Sequence, residues 1–149
     1  MRDRPVGKTE IPPIGTKKVK SNIAKIEEDL RRAHNKETKG DYQDYDSEMK
    51  GASQDFRNTL EELVEQYLLG GVVTRFSREV KTKNLRYLKL VTEDDINFIT
   101  SLMTKYSYLD HSSPESAGTP KIEYDELLVD LKRVQSWCKE MGHKQNTLE

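Results

Sequence analysis

The side chains best placed to do chemistry are oxygen donors. Asp110, Ser112, Glu115, Glu123 and Glu126 crowd one polar stretch. Carboxylates and hydroxyls gathered in this way suit a hard cation, above all calcium, which takes roughly six to eight oxygens at about 2.4 Å. Softer ligands do not cluster. His34, His111 and His143 are distant in sequence and share no metal-binding spacing with Cys138, so zinc is not expected. No phosphate-cradling glycine loop, zinc-protease helix or nucleophile elbow occurs, and solvation accounts for the remaining carboxylates. The chain is therefore not expected to be an enzyme.

Composition narrows the partners. Lys plus Arg total 25 against 26 Asp plus Glu, a formal charge of -1, so no global field draws in nucleic acid or an anionic membrane. Residues 1–20 are locally basic through Arg2, Arg4, Lys8, Lys17, Lys18 and Lys20, yet without the interleaved aromatics of a nucleic-acid reader. A protein partner is the expectation, with no nucleic acid and no membrane insertion. The single cysteine cannot form an internal disulfide, which fits a reducing, cytoplasmic setting. No apolar run approaches the ~18 residues needed to cross a bilayer. Ser113-Pro114 and Thr119-Pro120 match the short target of proline-directed kinases, and phosphate there would repel Glu115 and Glu126.

The elements that must position these groups read as helices. With 34% hydrophobic and 34% charged residues, the chain can bury one small core and leave polar length over. Residues 1–20, with Pro5, Pro12 and Pro13, read as a disordered basic arm. From Ser21, a candidate N-cap, the apolar positions Ile23, Ile26, Leu30 and Ala33 predict an amphipathic helix over 21–35. Residues 36–52, polar and interrupted by Gly40 and Gly51, read as a linker. The folded domain is expected over 53–141. Phe56, Leu60, Leu63, Val64, Tyr67 and Leu68 mark a helix that Gly70-Gly71 ends. Phe76, Val80, Leu85, Leu88 and Val91 predict a second, less regular one. Thr92 with Asp95 predicts a capped start for a third, apolar at Ile96, Phe98, Ile99, Leu102, Met103 and Tyr106. A fourth runs over 124–141 with Leu127, Leu128, Leu131, Val134, Trp137, Cys138 and Met141 inward. Gly142 should stop it, leaving 142–149 as a disordered tail.

Ile122-Glu123-Tyr124-Asp125-Glu126-Leu127-Leu128 resembles the exit of an EF-hand calcium loop. There a hydrophobic residue at position eight pairs with a sister loop, an acidic residue at position twelve clamps the ion, and an apolar pair opens the exiting helix. Ile122, Glu126 and Leu127-Leu128 fall at those offsets, and in residues 53–91 Gly71 and Val73 match positions six and eight. The resemblance, over roughly 53–141, implies an all-α fold: a four-helix, degenerate EF-hand pair with a short β-bridge between Val73 and Ile122. The chain departs from the family where calcium would bind. The first loop offers Gln66, Leu68, Gly70 and Ser77 where carboxylates belong. The second, from Asp110 to Glu126, spans 17 residues where the family uses about twelve. Counted back twelve from Glu126 it begins at Glu115 and puts Pro120 where glycine is needed.

Asp110, Ser112, Glu115 and Glu126 are left as candidate calcium ligands in a rearranged loop, and no other cofactor is expected. The resemblance implies a calcium-independent protein-interaction adaptor. Phe98, Leu102, Met103, Leu131, Val134 and Trp137 would form an apolar groove for an amphipathic helix. That helix belongs either to a partner or to the chain itself, through Ile23, Ile26 and Leu30. Two further readings stay open: a calcium-binding regulator acting through the second loop, and a structural helical bundle that mediates oligomerisation.

Overall fold

The computed structural model describes residues 14–110 and 121–148. Four long helices carry the fold: α1 (Ile14–Thr38), α2 (Tyr42–Leu63), α3 (Glu93–Asp110) and α4 (Tyr124–Thr147). A π-helical turn, Val64–Leu68, extends α2, and a 3-10 helix, Thr82–Leu90, breaks the connection to α3. The fold is all-α, and no strand occurs among the described residues.

Val19, Ile23, Ile26, Leu30 and Ala33 of α1 recur in alternating steps of four and three, and all are buried. That spacing keeps one stripe of a helix against a partner. The partner is α2, whose Tyr45, Met49, Ala52, Phe56, Leu60 and Leu63 form the facing stripe. Between them the chain reverses at Gly40, whose φ of 79° is a left-handed conformation that glycine adopts without a Cβ clash. Ion pairs flank the stripe at Lys18–Glu62 (3.5 Å), Lys25–Asp55 (3.7 Å), Arg32–Glu48 (3.6 Å) and Lys36–Asp44 (3.4 Å). Their two residue numbers add to the same total in every rung, the signature of one antiparallel register.

The remaining helices complete an up-down-up-down bundle. α3 packs on α2 through the edge-to-face pair Phe56–Tyr106, with centroids 4.7 Å apart. α4 runs antiparallel to α3, joined by Trp137 to Asp95 near one end and Lys105 to Asp130 near the other. It closes back on α1 through Lys132 to Glu27 and the stacked rings of His34 and Tyr124. α3 begins in the expected capping box. The Thr92 N–H donates to Asp95 Oδ2 (2.9 Å), and the Asp95 N–H donates to Thr92 Oγ1 (3.2 Å), which satisfies two otherwise orphaned donors.

Several expectations need correcting. α1 starts at Ile14 rather than Ser21 and so absorbs part of the supposed basic arm. The supposed linker over 36–52 is the end of α1, a tight turn and the first half of α2. Tyr45 and Met49 enter the buried stripe while the charges, and Gly51 with open space around its Cα, face out. The second helix expected over 76–91 is a set of turns and a 3-10 helix, in which Phe76, Val80, Leu85 and Leu88 are exposed and only Val91 of the expected face packs against the core. Ile96, placed on the apolar side of α3, is 49% exposed. Nor does Gly142 end α4, which continues to Thr147. One glycine costs a helix interior only about 1 kcal/mol, and Met141 immediately before it is buried in the core.

Candidate functional site

Of the candidate calcium donors, Ser112 and Glu115 lie outside the described residues, and Asp110 is placed only as the last residue of α3. Glu126, in the first turn of α4, pairs with Lys105 at 2.8 Å. Among the described residues no three His, Cys, Asp or Glu side chains gather as a metal site would require. Val73 and Ile122 exchange no backbone hydrogen bond, and Val73 is exposed. The nine candidate partner-binding residues divide in two. Ile23, Ile26, Leu30, Leu102, Leu131 and Val134 are buried in the core, while Phe98, Met103 and Trp137 are half-buried at its edge. α1, the occupant expected as one of two alternatives, packs on α2 and α4.

Lys105, Tyr106 and Asp130 form a buried polar group that the sequence reading passed over. Asp130, 4% exposed, accepts from Lys105 Nζ and Tyr106 Oη, each at 2.7 Å. Arg133 lies 3.7 Å from its other oxygen. Burial pushes the Tyr106 phenol far above its ordinary pKa, and the hydrogen bond to Asp130 adds to the rise, so the hydroxyl stays a donor. For Lys105 burial opposes the charged form, but hydrogen bonds to Asp130 and Glu126 outweigh it and raise its pKa. With every member partnered, the group ties α3 to α4. Its signal in the sequence was a carboxylate three residues after Leu127 and four before Val134, on the apolar face.

The least conventional part of the molecule follows α2. Gly70 and Gly71 both have positive φ, 58° and 73°. A Cβ on Gly70 would sit 2.8 Å from Tyr87 Cβ and 3.3 Å from the Asn84 carbonyl oxygen, so the 3-10 helix rests directly on this glycine. The next turn is tied down by Arg75, whose N–H donates to Glu65 Oε1 at 2.9 Å and whose guanidinium reaches Glu65 and Glu61. The neighbouring residue, Phe76, has a φ of 67° and is 105% exposed. A bulky side chain in the left-handed region costs on the order of 1 kcal/mol, and no packing offsets it here.

The 3-10 helix sorts its side chains with a period of three, since residues i and i+3 eclipse. Asn84, Tyr87 and Leu90 form the half-buried ridge facing the bundle. Lys83, Arg86 and Lys89 form a second ridge, with the Arg86 guanidinium lying 5.4 Å from the Tyr87 ring centre. Thr82, Leu85 and Leu88 form a third, where Leu85 is 48% and Leu88 39% exposed. Nine residues of 3-10 helix are unusual, since runs beyond about four are uncommon. Together with Val73, Phe76 and Val80, the two leucines place five exposed large apolar side chains on one short segment. Residues 72–91 also hold six basic residues against Glu79 alone. Arg75 is paired, and Arg78, Lys81, Lys83 and Lys89 make no ion pair among the described residues.

A separate open cavity of about 1020 Å³ lies between the start of α1 and the end of α4, lined by Lys20, Ile23, Cys138, Lys139, Glu140 and Lys144 among others. It offers no activated nucleophile. Burial pushes the Cys138 thiol up to about 12, against a smaller lowering from Lys20, so the reactive thiolate is scarce near neutrality. Comparison with protein families, with curated proteins and with solved structures finds no match to this chain.

Proposed function

We propose that this chain is a non-enzymatic protein-interaction module that engages its partner through residues 72–90 and does so without calcium. One observation carries the reading: Val73, Phe76, Val80, Leu85 and Leu88 are exposed together on a segment anchored to the bundle by Gly70 and Arg75. Single exposed hydrophobes are ordinary, whereas a group of them marks a surface that another molecule covers. Ile23, Ile26 and Leu30 are themselves buried in the core, which leaves a partner the outer face.

The EF-hand relation enters this proposal through α3 and α4, where Ile122, Glu126, Leu127 and Leu128 come after α3 in the chain. It gains least from the first pair, because α2 runs unbroken from Tyr42 and only a 3-10 helix lies between Gly71 and α3.

The test compares the chain with a triple variant, Phe76→Ser, Leu85→Ser and Leu88→Ser, matched for thermal stability. A protein captured from cells is identified, purified and reconstituted with each. Binding to the parent and loss with the variant supports the module, and equal binding to both refutes it. A calcium titration followed by amide NMR, with magnesium as control, runs alongside. Saturable shifts around residues 110–126 would replace this reading with a calcium-responsive one.

A further inference from the structure

Building on that interaction reading, we propose that the partner is an acidic amphipathic α-helix, seated with carboxylates on Lys83 and Lys89 and an apolar row on Leu85 and Leu88. The geometry of the two helix types supports the match. A 3-10 helix rises about 2.0 Å per residue, so every third residue advances about 6 Å. An α-helix rises about 1.5 Å per residue, so every fourth residue also advances about 6 Å. Carboxylates at i, i+4 and i+8 therefore keep step with the basic ridge along its whole length. Leucines at i+3 and i+7 of the same helix lie on the adjoining face, which meets the apolar ridge.

Charge points the same way. Arg78, Lys81, Lys83 and Lys89 have no ion-pair partner among the described residues. The chain as a whole has a formal charge of -1, whereas residues 72–91 hold six basic residues against Glu79 alone, so this segment carries a local excess of positive charge. Phe76 stands free at the margin, placed to act as the aromatic anchor that such interfaces favour. Nucleic acid fits less well, because Leu85 and Leu88 would have no use against phosphates. An anionic bilayer would also meet the basic and apolar side chains, but it offers no carboxylates spaced to match Lys83 and Lys89, and vesicle binding is therefore one arm of the test.

The experiment uses a synthetic helix with glutamates at i, i+4 and i+8 and leucines at i+3 and i+7. A second helix replaces the glutamates with lysines, and a third keeps the glutamates but replaces the leucines with glutamine. Binding is read by fluorescence anisotropy, and the site by amide NMR of the full chain. The acidic helix should bind at least tenfold more tightly than either control and shift amides of residues 74–90. Lys83→Glu combined with Lys89→Glu should cost tenfold or more while leaving the melting temperature within a few degrees, and it should favour the lysine helix instead.

Equal binding of the acidic and lysine helices would overturn the proposed chemistry, as would shifts centred elsewhere. Tight binding to phosphatidylserine vesicles or duplex DNA, with the acidic helix unbound, would also overturn it. The broader reading fails separately. If a reconstituted natural partner depends on Phe76, Leu85 and Leu88 but not on Lys83 and Lys89, the acidic helix is wrong and the interaction module stands.

Discussion

Gly51→Ala tests whether the supposed linker is a packed helix. Gly51 sits on the outer side of α2, and a methyl group there meets nothing within 4 Å. The substitution therefore adds no clash and removes the helix penalty of glycine, about 1 kcal/mol. For a chain of 149 residues the unfolding entropy is roughly 0.3 kcal/mol/K, so Tm should rise by about 3 °C. Gly142→Ala in α4, equally open, should add a similar amount, because the sites lie toward opposite ends of the bundle.

In a linker that is flexible in both the folded and unfolded states alanine would change stability little, so the rise itself carries the test. Gly40→Ala supplies the contrast. Its φ of 79° is strained for alanine and should lower stability by about 1 kcal/mol. Thermal melts followed by circular dichroism read all three variants, and amide exchange across residues 45–55 gives an independent measure. A fall in Tm for Gly51→Ala, no fall for Gly40→Ala, or unprotected amides over 45–55 would refute the helical hairpin.

Other consequences can be measured on the same protein. Leu30→Ala empties a fully buried position facing α2 and should cost about 2–5 kcal/mol in urea unfolding; a cost under about 1 kcal/mol would mean α1 is not docked. Tyr106→Phe deletes the hydroxyl that Asp130 accepts from and should cost about 1.5–3 kcal/mol, with unchanged stability counting against the buried network. Gly70→Ala drives a methyl group into Tyr87 and should raise amide exchange over residues 82–90 without unfolding the four long helices. Asp95 and Glu27 predict the acid limb. Burial of Asp95 is outweighed by donors from Thr92 and Trp137, and the Lys132 hydrogen bond lowers Glu27, so both pKa values are depressed. Their stabilisation is present above the unfolded pKa near 4 and disappears as pH falls through the folded values. Trp137 emission should therefore change below about pH 4, and a transition centred above pH 5 would contradict the assignment.

Where apolar spacing was dense, the fold was legible in the sequence. α4 and most of α3 could be placed from their inward residues, and the Thr92–Asp95 cap could be placed from its spacing alone. α2 was half read, because Tyr45 and Met49 are single apolar positions among charges whose role emerges only once α1 supplies the facing stripe. Over 76–91 the error ran the other way: apolar residues were taken for a core face, although the bundle has no room for them. The groove residues were recognised as apolar but their occupant was left open between a partner and residues 23–33, since amphipathic spacing does not say which helix will cover a face. The 3-10 ridges were hidden for a related reason, as a period of three looks like irregular α-helix in a short window. Two buried acids were visible in principle, Asp130 from its place between Leu127 and Val134 and Asp29 from the same spacing between Ile26 and Ala33.

The α1–α2 hairpin also bears on the order of folding. Its buried stripe and all four ion-pair rungs join residues on either side of one short turn, so closing it confines little chain. The long connection from Gly70 to Thr92 must be ordered before α3 and α4 can add their contacts. Topologies rich in near-neighbour contacts fold fastest, so the hairpin is expected to form first and serve as the template on which the later helices dock. Substitutions at Ile26 or Met49 should therefore slow refolding, with φ-values well above those at Val134 or Met141, where destabilisation should appear mainly as faster unfolding.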